Sequence, residues 1–136
     1  MSGYGLLEAS GAYKANLLDL RQKRQEIIAS NIANADTPGY KARRLEFEDA
    51  LKSAMPTASG LSMAHTHKNH LPLPLDQVEG EIQEVETSIP KGDGNSVDME
   101  QEMVRQSANQ LLYNYAAESL SGQISTMRMI IEGGNK

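Results

Sequence analysis

The 136-residue sequence contains no cysteine and no tryptophan, and its only aromatic residues are one phenylalanine and five tyrosines. Without cysteine the chain forms no disulfide bond and offers no thiolate ligand to a metal. Only 39% of the residues are apolar, and many of these are alanine or methionine. A globular core would be thin, so long helices completed by partner molecules are the better expectation.

Positive charge is scarce as well. The chain carries 13 Lys and Arg against 18 Asp and Glu, which gives a net charge of −5. This balance argues against nucleic acid or an anionic membrane as the main ligand. The acidic residues are concentrated in residues 53–103, which hold two Lys/Arg and nine Asp/Glu, whereas both ends are close to neutral. We expect this middle segment to face solvent.

The sequence also lacks a long apolar run, so we expect no membrane-spanning helix. Near the N-terminus, Glu8 and Lys14 lie among glycines where a cleavable secretion signal would need an apolar core. Two expectations remain open. One is residence in the cytosol, and the other is export by a route that requires no cleavable signal peptide.

Two segments have the spacing of amphipathic helices, about residues 6–34 and residues 99–132. The second is preceded by Asp98, an N-cap residue, with Gln101 completing a capping box. Each helix carries more apolar surface than a two-helix contact would cover, which predicts further partners. The side chains expected to pack the helices together and against neighbouring molecules are Leu17, Leu20, Ile27, Leu111, Leu120, Ile124 and Met127.

The first predicted helix ends in a sharp turn. Thr37 precedes a proline and is therefore disfavoured in helical geometry. Pro38 and Gly39 suit the two central positions of a type II turn, where the second residue needs a positive φ. Together with Tyr40, these residues are expected to fix the angle at which the chain leaves the helix, which is a role in assembly and not in catalysis.

Two carboxamides lie just before this turn. Asn34 is suited to a left-handed C-terminal cap. Asn31 lies one turn inside the helix, where asparagine is a poor helix former. If its side chain is buried, it needs hydrogen-bond partners, so we interpret Asn31 as a contact that sets the helix register.

The middle of the chain is less regular. Apolar residues from Phe47 to Met55 have helical spacing and predict a short helix that folds back on the first one. Residues 56–94 are broken by proline and glycine, residues 71–75 are expected to be extended, and residues 81–89 form a weakly predicted strand. We therefore predict a mainly α chain whose two long terminal helices pack as a coiled-coil-like hairpin around a loop-rich middle. The expected divisions are 1–40, 41–96 and 97–136.

Candidate catalytic groups are few. His65, His67 and His70 could ligate a metal, but neither cysteine nor an obvious carboxylate completes the set. No nucleophile elbow or phosphate-binding loop is present. We expect these histidines to lie on an exposed polar loop, and we expect no enzyme activity, cofactor or small-molecule substrate. A metal-dependent enzyme is the alternative.

Ser30–Tyr40 closely resembles the signature of the flagellar rod, hook and hook-associated axial proteins. Residues 94–102 resemble a second block of this family, placed before the C-terminal helix, and Leu112-Tyr113 and residues 124–133 also fit. The short length is similar to that of a proximal rod subunit. The sister subunit FlgC is the second choice. It usually has an altered, extended turn at the position that residues 37–40 occupy in this chain.

The resemblance implies a structural subunit that is exported by the flagellar type III apparatus and assembles in the periplasm into a helical rod. Its terminal helices would become ordered as the coiled-coil inner domain of that tube. The implied partners are other copies of the chain, rod subunits of the FlgC, FlgF and FlgG types, the rod-base adaptor FliE and the export gate, with the MS ring as a further candidate. A cytosolic helical adaptor or chaperone remains the rival hypothesis.

Overall fold

The computed structural model describes residues 3–54, 78–85 and 92–133, and it describes side chains from Ser10 onward. The predicted histidine cluster and the extended segment at residues 71–75 lie outside the described residues. Among the described residues, no helix is both long and apolar enough to cross a bilayer.

The prediction of a mainly α chain with two long terminal helices is confirmed. At about 1.5 Å per residue, the 31-residue first helix is roughly 46 Å long and the 35-residue last helix roughly 52 Å long. Between them lie a one- to two-turn helix and two short strands. The elements are α1 (Gly3–Ala33), β1 (Arg43–Glu46), α2 (Glu48–Ala54), β2 (Glu81–Glu84) and α3 (Met99–Gly133).

Helices α1 and α3 pack against each other in antiparallel orientation. At one end, Ser10 Oγ donates to Gln123 Oε1 over 3.4 Å, and at the other end Asn31 Nδ2 donates to Glu102 Oε2 over 3.0 Å. Asn109 lies between these points, and its Nδ2 donates to the carbonyl oxygen of Arg21 over 2.9 Å. Polar side chains therefore fix the register of this helix pair, because each must meet one particular partner.

The main hydrophobic core lies on another side of α1. Leu20 of α1 is buried together with residues of β1, α2 and the segment before β2, and Leu17 and Ile27 pack against this cluster. Helix α2 thus folds back on α1, as the spacing of residues 47–55 predicts. The buried residues of this core are Leu20, Leu45, Phe47, Leu51 and Val78.

The two strands form an antiparallel pair in which Arg43 lies opposite Glu84 and Glu46 lies opposite Glu81. Strand β2 falls within the predicted strand at residues 81–89. Strand β1 is not predicted by the sequence pattern, because three of its four residues are charged and only Leu45 is apolar. Its pairing depends on a partner nearly 40 residues away, which local periodicity cannot report.

Candidate assembly site

The turn after α1 has the predicted geometry. The backbone N–H of Tyr40 donates to the carbonyl oxygen of Thr37 over 3.2 Å, and Gly39 has a φ of 72°. A first-to-fourth hydrogen bond with a positive φ at the third residue defines a type II turn. Glycine is needed at this position because L-residues rarely adopt such a φ.

The prediction that Asn34 adopts a left-handed cap is wrong. Among the described residues, only glycines have positive φ. Asn34 instead ends the helix with its side chain, since its Nδ2 donates to the carbonyl oxygen of Ser30 over 2.8 Å and its Oδ1 accepts from the Thr37 hydroxyl over 3.2 Å. The Asn34 carboxamide thereby satisfies the Ser30 carbonyl oxygen near the end of the helix. In a left-handed cap, backbone N–H groups would satisfy such carbonyl oxygens instead.

Asn95 is a functional candidate that sequence reasoning missed. Its side chain is only 1% exposed, and its Nδ2 lies 2.8–3.0 Å from the carbonyl oxygens of Asn34, Ala35 and Thr37. Its Oδ1 accepts from the backbone N–H of Val97 over 2.7 Å. One carboxamide therefore gathers the carbonyl groups left unpaired where α1 ends. Its place in the second resemblance block, residues 94–102, is the signal that could have singled it out.

The backbones of the two resemblance blocks are also hydrogen-bonded to each other. The N–H of Gly39 donates to the carbonyl oxygen of Asp93 over 2.9 Å, and the N–H of Ser96 donates to that of Tyr40 over 3.0 Å. The Ser96 hydroxyl accepts from the N–H of Ala42 over 2.8 Å. The turn after α1 is thus clamped to the segment that leads into α3, which fixes where both long helices leave the junction.

Asn31 is completely buried at this junction. Its Oδ1 accepts from the backbone N–H of Arg43 over 3.0 Å and from the Tyr40 hydroxyl over 3.3 Å. Its Nδ2 donates to the carbonyl oxygen of Arg43 over 2.8 Å and to Glu102 over 3.0 Å. Asn31 therefore ties α1 to β1 and α3 at once and leaves none of its side-chain atoms unpaired, which a buried amide requires.

At the start of α3, Asp98 acts as the predicted N-cap. Its Oδ1 accepts from the backbone N–H groups of Glu100 over 3.1 Å and Gln101 over 3.2 Å. Inside the first turn, buried Glu102 forms an ion pair with Arg105 in addition to its contact with Asn31. A buried carboxylate is tolerated here because it is both paired and hydrogen-bonded.

A second polar cluster holds α2 against α1. The Arg24 guanidinium binds both carboxylate oxygens of Glu48, with Nη2 to Oε2 at 2.7 Å. It also lies over the ring of Phe47, 4.2 Å from the centroid, with Arg21 at 5.2 Å. Partial burial alone would raise the pKa of Glu48, but the hydrogen bond and charge of Arg24 outweigh it, so this pKa lies below its ordinary value of 4.5.

This pKa shift predicts a pH-dependent contribution to stability. The Glu48 carboxylate binds a proton more readily in the unfolded chain than in the folded one. Ionised Glu48 therefore stabilises the fold above about pH 4.5, and this stabilisation is lost as the pH falls through the lower pKa of the folded state. We expect Glu48→Gln to lower the thermal unfolding midpoint at pH 7, with the difference from the unmodified chain closing towards pH 3. Glu118→Gln, at an exposed site on α3, is the control with no expected change. A constant difference across this range would contradict the interpretation.

The face of α3 that points away from α1 is apolar and exposed. Leu111 is 71% exposed, Tyr115 73% and Met129 72%. Val104 shares this face, and the four residues follow one another at steps of seven, four and fourteen, which keeps them on one stripe of the helix. Large apolar side chains exposed on one face of a helix in this way are the mark of a protein interaction surface. We call these four residues the α3 outer stripe.

In the described part of the chain, no three histidine, cysteine, aspartate or glutamate side chains are grouped closely enough to hold a metal ion. The described residues instead form helix caps, a clamped turn and an exposed apolar face of α3.

Comparison with known proteins agrees with this geometry. A family model described as "Flagella basal body rod protein" matches residues 18–41. The "Flagellar basal body rod protein FlgB" of Escherichia coli (strain K12) is 38% identical over 134 residues, covering 95% of this chain and 97% of that protein. The chain belongs to the FlgB family. The FlgB proteins of Salmonella typhimurium and Aeromonas hydrophila are 35% and 39% identical, and cover 95% and 85% of the chain, respectively.

Membership of the FlgB family makes the chain a structural subunit of the flagellar basal-body rod and not an enzyme. The residue range matched by the family model contains the end of α1 and the type II turn, including Asn31 and Gly39. The matched range therefore includes one side of the clamped junction.

The residues proposed for packing fall into two groups in this FlgB chain. Leu20 belongs to the core under α2 and β1, and Leu17 and Ile27 pack against it. On α3, Leu120 and Met127 are half-buried, whereas Leu111 and Ile124 are mostly exposed. The exposed group is free to contact neighbouring subunits.

The turn gives a direct test of backbone geometry. Valine at position 39 would have to adopt a φ of 72°, which costs about 1–2 kcal/mol or more for a β-branched residue. No atom lies within 4 Å of the added Cβ, so the effect is backbone strain and not a clash. We expect Gly39→Val to lower the unfolding midpoint and to reduce incorporation into basal bodies. Gly39→Asn, which tolerates this φ better, should retain most of both, and equal behaviour of the two variants would refute the role.

Proposed function

We propose that this chain is a proximal rod subunit that assembles with copies of itself and with rod subunits of the FlgC, FlgF and FlgG types. The resulting tube transmits torque as a drive shaft and encloses the export channel. The subunit contacts the adaptor FliE and the export gate at its base, with the MS ring as a further candidate. Terminal helices α1 and α3 form the inner coiled-coil part, and residues 41–96 form the variable part.

One observation carries this proposal, namely the α3 outer stripe. In the isolated chain Leu111 and Tyr115 are more than 70% exposed, although both are large apolar side chains. Burial of a side chain of this size contributes roughly 1.5–3 kcal/mol, and here that contribution is available only through a neighbouring molecule. In this proposal the contacts are head-to-tail, since heterologous contacts that do not close generate an open helical assembly.

The place of assembly is also part of the proposal. The subunit passes through the flagellar type III apparatus and joins the rod in the periplasm without removal of a signal peptide. Mass spectrometry of the chain recovered from purified basal bodies should find the N-terminal peptide of the printed sequence, apart from removal of the first methionine. A peptide that starts further along the chain would contradict this route.

Deletion and fractionation test the proposal as a whole. A deletion strain should be non-motile and lack complete rods, and a tagged copy should restore swimming and co-purify with detergent-extracted basal bodies. The adaptor or chaperone alternative predicts the reverse distribution, with the tagged chain left in the cytosolic fraction and absent from basal bodies that are otherwise complete.

A further inference from the structure

Five of the six arginines of the chain line one groove between α1, β1 and α3. The groove encloses about 250 Å³, and its only lining carboxylates are Glu46 and Glu102. This concentration contrasts with the net charge of −5 of the whole chain. We call this feature the arginine groove. Its arginines are Arg21, Arg24, Arg43, Arg44 and Arg105.

Some of these guanidinium groups already serve the fold. Arg24 binds Glu48, and Arg105 pairs with Glu102. Arg44 is different, because its Nε–H is buried and donates to no acceptor among the described residues, and the same is true of the Nε–H of Arg21. Buried donors are normally satisfied. The groove therefore holds positive charge and hydrogen-bond donors in excess of the acceptors that the described residues supply.

The floor of the groove is apolar. Ile28 and Leu45 are buried there, and Leu112, which is 45% exposed, forms part of its rim. Arginine walls over an aliphatic floor fit an extended segment that offers an apolar side chain and a carboxylate on the same face, since the planar guanidinium pairs with carboxylates in two-point contacts.

This chain presents such a segment on its own surface. All four residues of strand β2 are exposed, and Ile82 is 57% exposed. Side chains alternate between the two faces of a strand, so Glu84, two residues further on, lies on the same face as Ile82.

We propose that the arginine groove of one subunit receives strand β2 of a second copy of this chain. Ile82 packs on the apolar floor beside Leu112, and the carboxylate of Glu84 pairs with guanidinium groups led by Arg44. The inference rests on the proposed assembly function and adds to it a second, charge-based contact between copies, independent of the α3 outer stripe.

Disulfide cross-linking tests the contact, because the chain contains no cysteine of its own. Ile82→Cys and Leu112→Cys are placed on separate, differently tagged copies and co-expressed in the deletion strain. After mild oxidation of purified basal bodies, a mixed dimer carrying both tags is expected. The positive control for oxidation is a Glu46→Cys/Glu81→Cys chain, whose two positions lie directly opposite each other in the β1–β2 pair. Opposed Cβ atoms in an antiparallel pair are about 4.5–5.5 Å apart, which is close to the separation in a disulfide.

A charge reversal supplies the second measurement. Arg44→Glu on the Leu112→Cys copy should reduce the yield of the mixed dimer about tenfold, because attraction is replaced by repulsion. Glu84→Arg on the Ile82→Cys copy should restore it, and since the two changes are on different molecules, restoration cannot arise within one sheet. Lys23→Glu, an equal charge change at an exposed site of α1 outside the groove, should leave the yield unchanged.

The outcomes separate this contact from the assembly function. Absence of the mixed dimer from intact, motile basal bodies in which the control pair oxidises would overturn the proposed contact alone. Cross-linking of Leu112→Cys to a different flagellar protein would also overturn it, since the occupant would not be a second copy. If the chain is missing from basal bodies altogether, it is the assembly function that fails.

Discussion

Leu111→Asp is expected to abolish swimming while leaving the thermal unfolding of the isolated subunit unchanged. Leu111 is 71% exposed on the α3 outer stripe, so a charge there disturbs no contact inside the chain. In the assembly the same change would place an unpaired carboxylate in every apolar contact between subunits, in addition to losing roughly 1.5–3 kcal/mol of burial for each. The readouts are soft-agar motility, rod yield and the unfolding midpoint.

Neighbouring positions sharpen this prediction. Gln110→Asp, one residue away at an exposed polar site, is the control and should retain swimming. Ile124→Asp tests a second surface, because Ile124 is mostly exposed but lies 13 residues from Leu111 and therefore on a different face of α3; it is expected to reduce swimming as well. Leu120→Asp should differ from both, because Leu120 is half-buried and its replacement lowers the unfolding midpoint as well as assembly. Normal swimming with Leu111→Asp would remove the main support for assembly through this stripe.

Asn95→Asp is expected to have the largest effect on the folded subunit. The substitution keeps the shape of the side chain but replaces the Nδ2 donor, which faces the carbonyl oxygens of Asn34, Ala35 and Thr37, by a carboxylate oxygen. A negatively charged carboxylate oxygen would then face these three carbonyl oxygens in a buried site, with no hydrogen between them. We expect a loss of about 2–4 kcal/mol in the free energy of unfolding at pH 7, with rod assembly impaired as a result.

Urea unfolding measured by circular dichroism checks this value. Asn114→Asp, the same substitution at an exposed position of α3, should change the free energy of unfolding by no more than about 0.5 kcal/mol. Lowering the pH towards 4 should recover part of the loss in Asn95→Asp, because a protonated carboxyl can donate one hydrogen bond. A stability equal to that of the unmodified chain at pH 7 would show that Asn95 does not hold the junction.

Local signals in the sequence were sufficient for several elements. The spacing of apolar residues located both long helices and α2, the Asp98 capping box located the start of α3, and Pro38-Gly39 located the type II turn. Each depends on residues within about one helical turn of one another, which is the range over which backbone preferences act.

Such local signals do not predict contacts between residues that are distant in the sequence. Strand β1 pairs with a strand that begins 35 residues after it ends, and Asn95 reaches carbonyl groups about 60 residues earlier. The sequence predicts Asn34 as the residue that caps α1, but the predicted left-handed backbone conformation is wrong. The choice between a left-handed backbone and a side-chain hydrogen bond depends on which other residues occupy the junction. The arginine groove was missed since its members come from three elements.

The sequence by itself determined the helical ends of this rod protein, the turn that stops α1 and the excess of apolar surface that calls for neighbours. Only the tertiary structure decided which apolar residues serve the subunit and which remain for its neighbours, and only it brought residues 93–97 onto the turn after α1. The reason is physical. Helix formation and turns follow from short-range backbone geometry, whereas burial and hydrogen-bond pairing depend on which distant segments meet.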